Sequence, residues 1–131
     1  MALYGHELRL DWNPFESGVG WAVKLDKPGD FVGRAALEKA KAAGNTHMQA
    51  GIEVTGRGIP REGYPVLAEG RQVGEITSGA LTPTTGKSLA MARVEVPYHK
   101  KDTQLAVEIR GKAVEAVVVP RPFYKNPHLR D

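Results

Sequence analysis

The chain has 131 residues and no cysteine, a length typical of one domain and a composition that excludes disulfides, thiolate metal sites and a cysteine nucleophile. Its 18 cations are interleaved with 15 anions, so solvated loops explain the net charge of +3 better than a nucleic-acid surface does. The sequence shows neither an apolar run of membrane-spanning length nor a secretory signal, and we expect a cytoplasmic protein.

Residues 1–30 combine turn-forming glycine and proline with many large apolar side chains. A chain end with this much apolar area would fray unless it packed against something, so we expect the segment to lie on another surface. Within it, the alternation over residues 21–25 favours a short strand.

Residues 30–43 form the one predicted helix. Alanine dominates the stretch, and Asp30 is placed to cap its first turn. Phe31 and Leu37 are predicted to lie on a buried side, whereas the charged residues, Arg34 among them, are predicted to face solvent. No chemistry is assigned to this helix.

From Met48 onward the apolar period changes to two, and turn residues separate the apolar runs. Glu69-Gly70 is typical of a tight hairpin turn. This pattern predicts a small antiparallel barrel or sandwich. Its six predicted strands span residues 48–55, 64–68, 71–77, 89–96, 104–110 and 113–119.

The stretch from Gly74 to Gly79 is interpreted as a strand that enters a tight turn at Ser78-Gly79. Gly74, Thr77, Ser78 and Gly79 are predicted to shape a barrel corner rather than to contact a substrate.

Arg61 follows Pro60 between two predicted strands and could clamp a carboxylate with both arms of its guanidinium. The alternative is a structural arginine that bonds Glu62 or loop carbonyls, and this second interpretation is favoured.

The residues alone indicate no catalytic site and no metal site. The four histidines lack the spacing of a metal-binding pair, and no serine lies in a nucleophile elbow. Gly86-Lys87-Ser88 ends like a phosphate-binding loop but lacks the first glycine of that motif.

Several short motifs, none specific alone, follow one another in a fixed order through nearly the whole chain. They are Leu3-Tyr4-Gly5-His6-Glu7-Leu8, Asn13-Pro14-Phe15-Glu16, Gly20-Trp21, Phe31-Val32-Gly33-Arg34, Gly58-Ile59-Pro60-Arg61, Gly74-Glu75-Ile76-Thr77-Ser78-Gly79 with Pro83, and Pro122-Phe123-Tyr124. As an ordered set they resemble the aminomethyltransferase (T-protein) of the glycine cleavage system, with Trp12 and Thr82 as departures from its usual pattern.

The resemblance covers only the last third of such an enzyme. It implies a mainly β fold, a six-stranded antiparallel Greek-key barrel with one N-terminal helix. Residues 1–46 would be the tail of the folate-binding region, with the helix at 30–43, and residues 47–131 would be the C-terminal barrel with a docking tail. The catalytic residues are expected upstream, and this chain alone is expected to be inactive.

The resemblance also implies partners. The complete enzyme would transfer a one-carbon unit from the aminomethyl-lipoyl arm of H-protein to tetrahydrofolate and release ammonia, without a metal. The barrel would close one side of the folate channel and contact the missing N-terminal domains. The expected folate or substrate contacts are Tyr4, Tyr124, His128 and Arg130.

Two other functions remain open at this point. A similar barrel ends the sarcosine and dimethylglycine oxidising enzymes, and a stand-alone barrel could bind folate or RNA.

Overall fold

The computed structural model describes residues 1–128 and contains one short 3₁₀ turn, one α-helix and six strands. In chain order the turn is Gly20–Ala22 and helix α1 is Arg34–Ala43. The strands are β1 (His47–Val54), β2 (Pro65–Ala68), β3 (Arg71–Leu81), β4 (Ser88–Glu95), β5 (Gln104–Ile109) and β6 (Lys112–Val119).

The six strands close into a barrel in the order β1-β4-β3-β2-β5-β6, and every neighbouring pair is antiparallel. Hairpins link β2, β3 and β4, and β1 returns to lie beside β4, which is the Greek-key arrangement. The predicted mainly β, six-stranded Greek-key barrel with one N-terminal helix is therefore confirmed. Closure leaves no free sheet edge on the barrel.

The core lies inside the barrel and is built mostly from small and β-branched side chains. Ile52, Val66, Ile76, Val94 and Val107 are almost fully buried. β1 departs from simple alternation, because four consecutive residues, 49–52, are buried. The N-terminal segment packs on the start of β1: the Gln49 backbone amide donates a hydrogen bond to the Glu16 carbonyl (3.0 Å), and the Gln49 side-chain amide donates one to the Glu7 carbonyl (3.4 Å).

The prediction of a tight turn at Ser78-Gly79 is wrong, because β3 continues through these two residues to Leu81. Ser78 and Gly79 pair with Met91 and Ala90 of β4, and the register shift between Ile76 and Ser78 marks a bulge at Thr77. Glycine is favoured both in bulges and in turns, so the sequence pattern at Ser78-Gly79 does not distinguish the two.

Two glycines of this stretch are required by close backbone approach. A Cβ atom on Gly79 would lie 2.6 Å from the Pro60 carbonyl oxygen, and one on Gly74 would collide with the Arg93 carbonyl oxygen. Both neighbours are backbone atoms that cannot move aside cheaply, so β3 can pass close to the β1–β2 connection and to β4 only with glycine at these positions.

The helix begins later than predicted. Gly33, at φ 88°, precedes its first residue, whereas the Asp30 carboxylate accepts a hydrogen bond from the Phe31 amide (2.8 Å) in a local turn. None of the residues of α1 is buried, and Phe31 is exposed, so the predicted buried side is also wrong.

Arg34 does not face solvent as predicted. Its guanidinium donates hydrogen bonds to the carbonyl oxygens of Leu25 (2.8 Å) and Lys27 (3.0 Å), and so ties the start of α1 to the preceding loop. The short strand predicted at residues 21–25 is absent, since a 3₁₀ turn and irregular chain occupy that stretch. Within residues 1–128, the only α-helix is too short to cross a membrane.

Candidate functional site

The N-terminal segment is attached to the barrel by a buried carboxylate. Glu7 is 4% exposed, and its Oε1 atom accepts hydrogen bonds from the hydroxyls of Thr77 (2.9 Å) and Ser78 (2.6 Å). Its Oε2 atom accepts one from the Leu3 amide (3.1 Å). Burial disfavours the charged form, but the hydrogen bonds from Ser78, Leu3 and Thr77 outweigh it and lower the pKa of Glu7.

A second buried carboxylate, Glu16, binds the same segment to β1 and β4. Its Oε1 atom accepts hydrogen bonds from the Thr46 amide (3.0 Å) and hydroxyl (3.1 Å), and its Oε2 atom lies 2.8 Å from the Arg93 guanidinium. Burial again opposes ionisation, yet the bonds from Arg93, Thr46 and His47 lower the pKa of Glu16. Both carboxylates therefore act as anchors rather than as proton donors.

Two guanidinium groups contact the ring of Trp12. The Arg9 group is 4.5 Å from the ring centroid and the Arg93 group 4.8 Å. Arg9 also approaches Glu62 (3.7 Å) and Glu75 (3.4 Å), so the stack joins the segment to the barrel. Trp12, which departs from the usual pattern of the family it resembles, therefore has a structural role.

A cavity of about 550 Å³ lies where the two ends of the chain meet the barrel, and we call it the end-junction cavity. Glu7 and Arg121 supply opposite charges to its lining, and Trp21, a residue that is 76% exposed, supplies an indole ring. The other lining residues are Met1, Ala2, Ser17, Gly18, Val19, Gln49, Met91, Pro122 and Phe123.

The C-terminal tail is held at this cavity by contacts to β1. The Arg121 guanidinium donates a hydrogen bond to the Gln49 carbonyl (3.3 Å). Phe123 packs on Gly51, since a Cβ atom there would lie 2.6 Å from its ring. The tail therefore passes over the outer face of β1 instead of leaving the barrel directly.

Large apolar side chains remain exposed beside the end-junction cavity and along residues 1–32. We call this set the apolar N-terminal surface: Leu3, Tyr4, Leu10, Trp21, Phe31 and Val32. They account for six of the eleven large apolar side chains that are exposed within residues 1–128.

The residues predicted to contact folate or substrate lie near the two ends of the sequence. Tyr4 is 66% exposed and Tyr124 54% exposed, and the backbone amide of His128 bonds the Asn126 side chain (3.0 Å). None of these three residues lines the end-junction cavity. Arg130 lies outside the described residues.

Of the residues predicted to be structural or to clamp a ligand, Thr77 and Ser78 hold Glu7, while Gly74 and Gly79 permit close packing of β3. Arg61 lines a different cavity, at one end of the barrel. No group of His, Asp and Glu side chains suited to a metal ion occurs within residues 1–128.

Sequence reasoning missed Glu7, Glu16 and Trp21. Both glutamates belong to the ordered motifs of the resemblance, but a carboxylate in a turn-rich segment is usually solvated, so no contact was assigned to them. The available signal was indirect: a polar residue inside an apolar segment that must pack on a surface has to find a partner there.

Comparisons with known proteins agree with this architecture. The sequence profile described as "Glycine cleavage T-protein C-terminal barrel domain" matches residues 48–125. An aminomethyltransferase of Symbiobacterium thermophilum is 48% identical over 130 residues, which is 99% of this chain and 35% of that protein. One from Synechococcus sp. is 49% identical over 127 residues, again 35% of that protein.

The fold agrees as well. This chain superposes on the crystal structure of glycine cleavage system aminomethyltransferase T from Bartonella henselae with a TM-score of 0.87 and 26% sequence identity. The match covers 95% of this chain and 35% of the Bartonella henselae chain. The chain thus spans about 35% of the length of the relatives it matches. Together with the closed barrel and the profile match over residues 48–125, this establishes that the chain belongs to the glycine cleavage T-protein C-terminal barrel domain family.

Proposed function

We propose that the chain is the C-terminal portion of a tetrahydrofolate-dependent aminomethyltransferase of the glycine cleavage system. The observation that carries the proposal is the 48% identity to an aminomethyltransferase over 99% of this chain. In the complete enzyme, a one-carbon unit would pass from the aminomethyl-lipoyl arm of H-protein to tetrahydrofolate, with release of ammonia. The cytoplasm is the proposed location.

The end-junction cavity supports a binding role for this portion. Its volume of about 550 Å³ lies in the range of small-molecule sites. Its lining is largely apolar and includes one cationic side chain, Arg121, which suits an aromatic ligand that carries a carboxylate. We propose that the barrel closes one side of the folate channel at this cavity, and that Tyr4, Tyr124, His128 and Arg130 contribute from the chain ends, outside the cavity lining.

The proposed reaction requires two reactants to be held together and positive charge on the transferred carbon to be stabilised as ammonia leaves. Proximity and electrostatics can accomplish this without a covalent nucleophile. We assign no catalytic residue to this chain, because its two buried carboxylates are held ionised by structural hydrogen bonds. The chain alone is expected to be inactive.

The apolar N-terminal surface supports the proposed division at residue 46. Residues 1–46 would belong to the folate-binding region and residues 47–131 to the barrel and its docking tail. In the longer relatives, sequence not represented in this chain would cover these exposed side chains. Lipoylated H-protein would then approach the assembled enzyme.

The test is a chimera in which this chain replaces the matching last third of the Symbiobacterium thermophilum aminomethyltransferase. We expect aminomethyl transfer in the presence of lipoylated H-protein and tetrahydrofolate, measured as methylenetetrahydrofolate formed. The matched control is the same relative lacking that third, which should be inactive. A soluble, folded chimera without activity would contradict the proposal, and so would robust turnover by this chain alone.

A further inference from the structure

A second cavity, of about 730 Å³, lies at the end of the barrel where the β1–β2, β3–β4 and β5–β6 connections meet. We call it the connection-end cavity. It shares no lining residue with the end-junction cavity. Apolar contacts come from Ile59, Tyr64, Leu81, Ile109 and Val114, and positive charge comes from Arg57, Arg61, Arg110 and Lys112.

The charge of this lining is entirely of one sign, since no aspartate or glutamate belongs to it. Within residues 1–128, none of the four cationic side chains forms an ion pair or a hydrogen bond to the protein. Other cations of the barrel do find partners, such as Lys87 with Glu53 (3.0 Å) and Arg71 with Glu95 (2.9 Å). A cavity lined by one sign of charge concentrates counter-ions, so an anion is the expected occupant.

Arg61 is the residue for which the sequence left two interpretations open. The acidic side chain next to it, Glu62, is directed to His6 (3.2 Å) and Arg9 (3.7 Å) instead. Glu62 is therefore not the partner of Arg61, and the Arg61 guanidinium can pair with a ligand.

The loop that carries Arg61 is held in place by the barrel. The Gly63 amide donates a hydrogen bond to the Ile76 carbonyl (2.8 Å), and the Tyr64 amide donates one to the Arg61 carbonyl (3.2 Å). Pro60 is buried against Gly79. A cation on a fixed loop loses less conformational entropy on binding than one on a mobile loop, which favours a preformed site.

We propose that the connection-end cavity binds a small organic anion that combines an apolar chain or ring with a dianionic head group, a phosphate monoester or a dicarboxylate. The apolar lining would take the body of the ligand, and Arg61 and Arg110 would pair with its head. The volume suits a small molecule. Nucleic acid fits the site less well, because Tyr64 is the one aromatic residue of the lining on which a base could stack.

The experiment is a calorimetric titration of the complete chain at low salt with octyl phosphate and with octylmalonate. Whichever of the two binds more tightly identifies the head group. Inorganic phosphate and octanol each lack one half of the ligand and should bind at least about tenfold more weakly. The affinity should fall with added salt.

Variants then locate the site. Arg61→Gln and Arg110→Gln should each weaken binding of the tighter ligand by about tenfold or more. Leu81→Ser should abolish the advantage of the alkyl compound over inorganic phosphate. The matched control is Lys100→Gln, which removes the same charge from an exposed position outside the cavity and should leave the affinity unchanged.

All four substituted positions are exposed, so the variants should fold, and circular dichroism verifies this. The proposal is overturned if neither alkyl anion binds below about 1 mM. It is also overturned if Lys100→Gln weakens binding as much as Arg61→Gln does, or if inorganic phosphate binds as tightly as octyl phosphate.

Discussion

Glu7 and Glu16 join the irregular first part of the chain to the barrel, and both do so as buried anions. Each carboxylate receives its hydrogen bonds from elements distant in sequence: Thr77 is 70 positions from Glu7, and Arg93 is 77 positions from Glu16. A buried charge is tolerated only where such partners satisfy it. These two side chains therefore determine how the N-terminal segment lies on the barrel.

The stability of the protein should fall in acid because of these two residues. Their pKa values are lowered in the folded state from the ordinary 4.5, so they stabilise the fold above that value. This contribution is lost as the pH falls through the folded-state pKa values. Urea unfolding between neutral pH and about pH 3 should show the loss, and Glu7→Gln/Glu16→Gln should flatten the dependence.

At neutral pH we expect Glu7→Gln alone to cost about 1–3 kcal/mol, because the Leu3 amide and the Thr77 and Ser78 hydroxyls would meet a neutral amide with one acceptor oxygen in place of a carboxylate with two. The control is Glu108→Gln on β5, an exposed glutamate without a side-chain hydrogen bond among residues 1–128. Equal pH dependence in the double variant and the control would show that the buried carboxylates are not responsible.

At the scale of elements, the barrel strands were predictable and the features between them were not. Period-two alternation with intervening turn residues identified all six strands, most of them to within one residue at each end. β3 was predicted too short, because the bulge at Thr77 depends on how β3 meets β4, which no local pattern records. For the same reason the buried state of Glu7 was not foreseen, since its partners come from β3.

Helix α1 has little support from tertiary packing. None of its ten residues is buried, and helices of this length are marginal in water without such packing. We predict that the amides of α1 exchange with deuterium much faster than those of β4, which lies between β1 and β3. Residue-resolved hydrogen exchange by NMR measures this difference.

Arg34 provides the internal control for this prediction. Its guanidinium holds three loop carbonyls, so Arg34→Lys should increase exchange in α1 further, whereas Lys39→Gln on the same helix should not. Protection of α1 equal to that of β4 would show that the helix is stabilised by contacts not apparent in this fold.

At the scale of the whole molecule, most of the large apolar side chains that are exposed within residues 1–128 belong to residues 1–32. The barrel encloses its own core, whereas residues 1–32 leave several large apolar side chains exposed, Trp21 and Val32 among them. The relatives are nearly three times as long as this chain, and their additional sequence would pack on this surface. Trp21 of this surface also lines the end-junction cavity.

The chain's two tryptophans allow a direct test of this cover. Trp21 is exposed, whereas the ring of Trp12 is already in contact with the guanidinium groups of Arg9 and Arg93. We would label this chain with fluorotryptophan, assign the two fluorine signals with Trp12→Phe, and ligate the chain to the unlabelled upstream part of the Symbiobacterium thermophilum relative. The chemical shift of the Trp21 fluorine should no longer change when water is replaced by deuterium oxide, because the ring would no longer contact solvent.

The fluorine signal of Trp12 should change little on ligation and serves as the control. An exposed Trp21 in the folded, ligated protein would mean that the apolar N-terminal surface serves another partner.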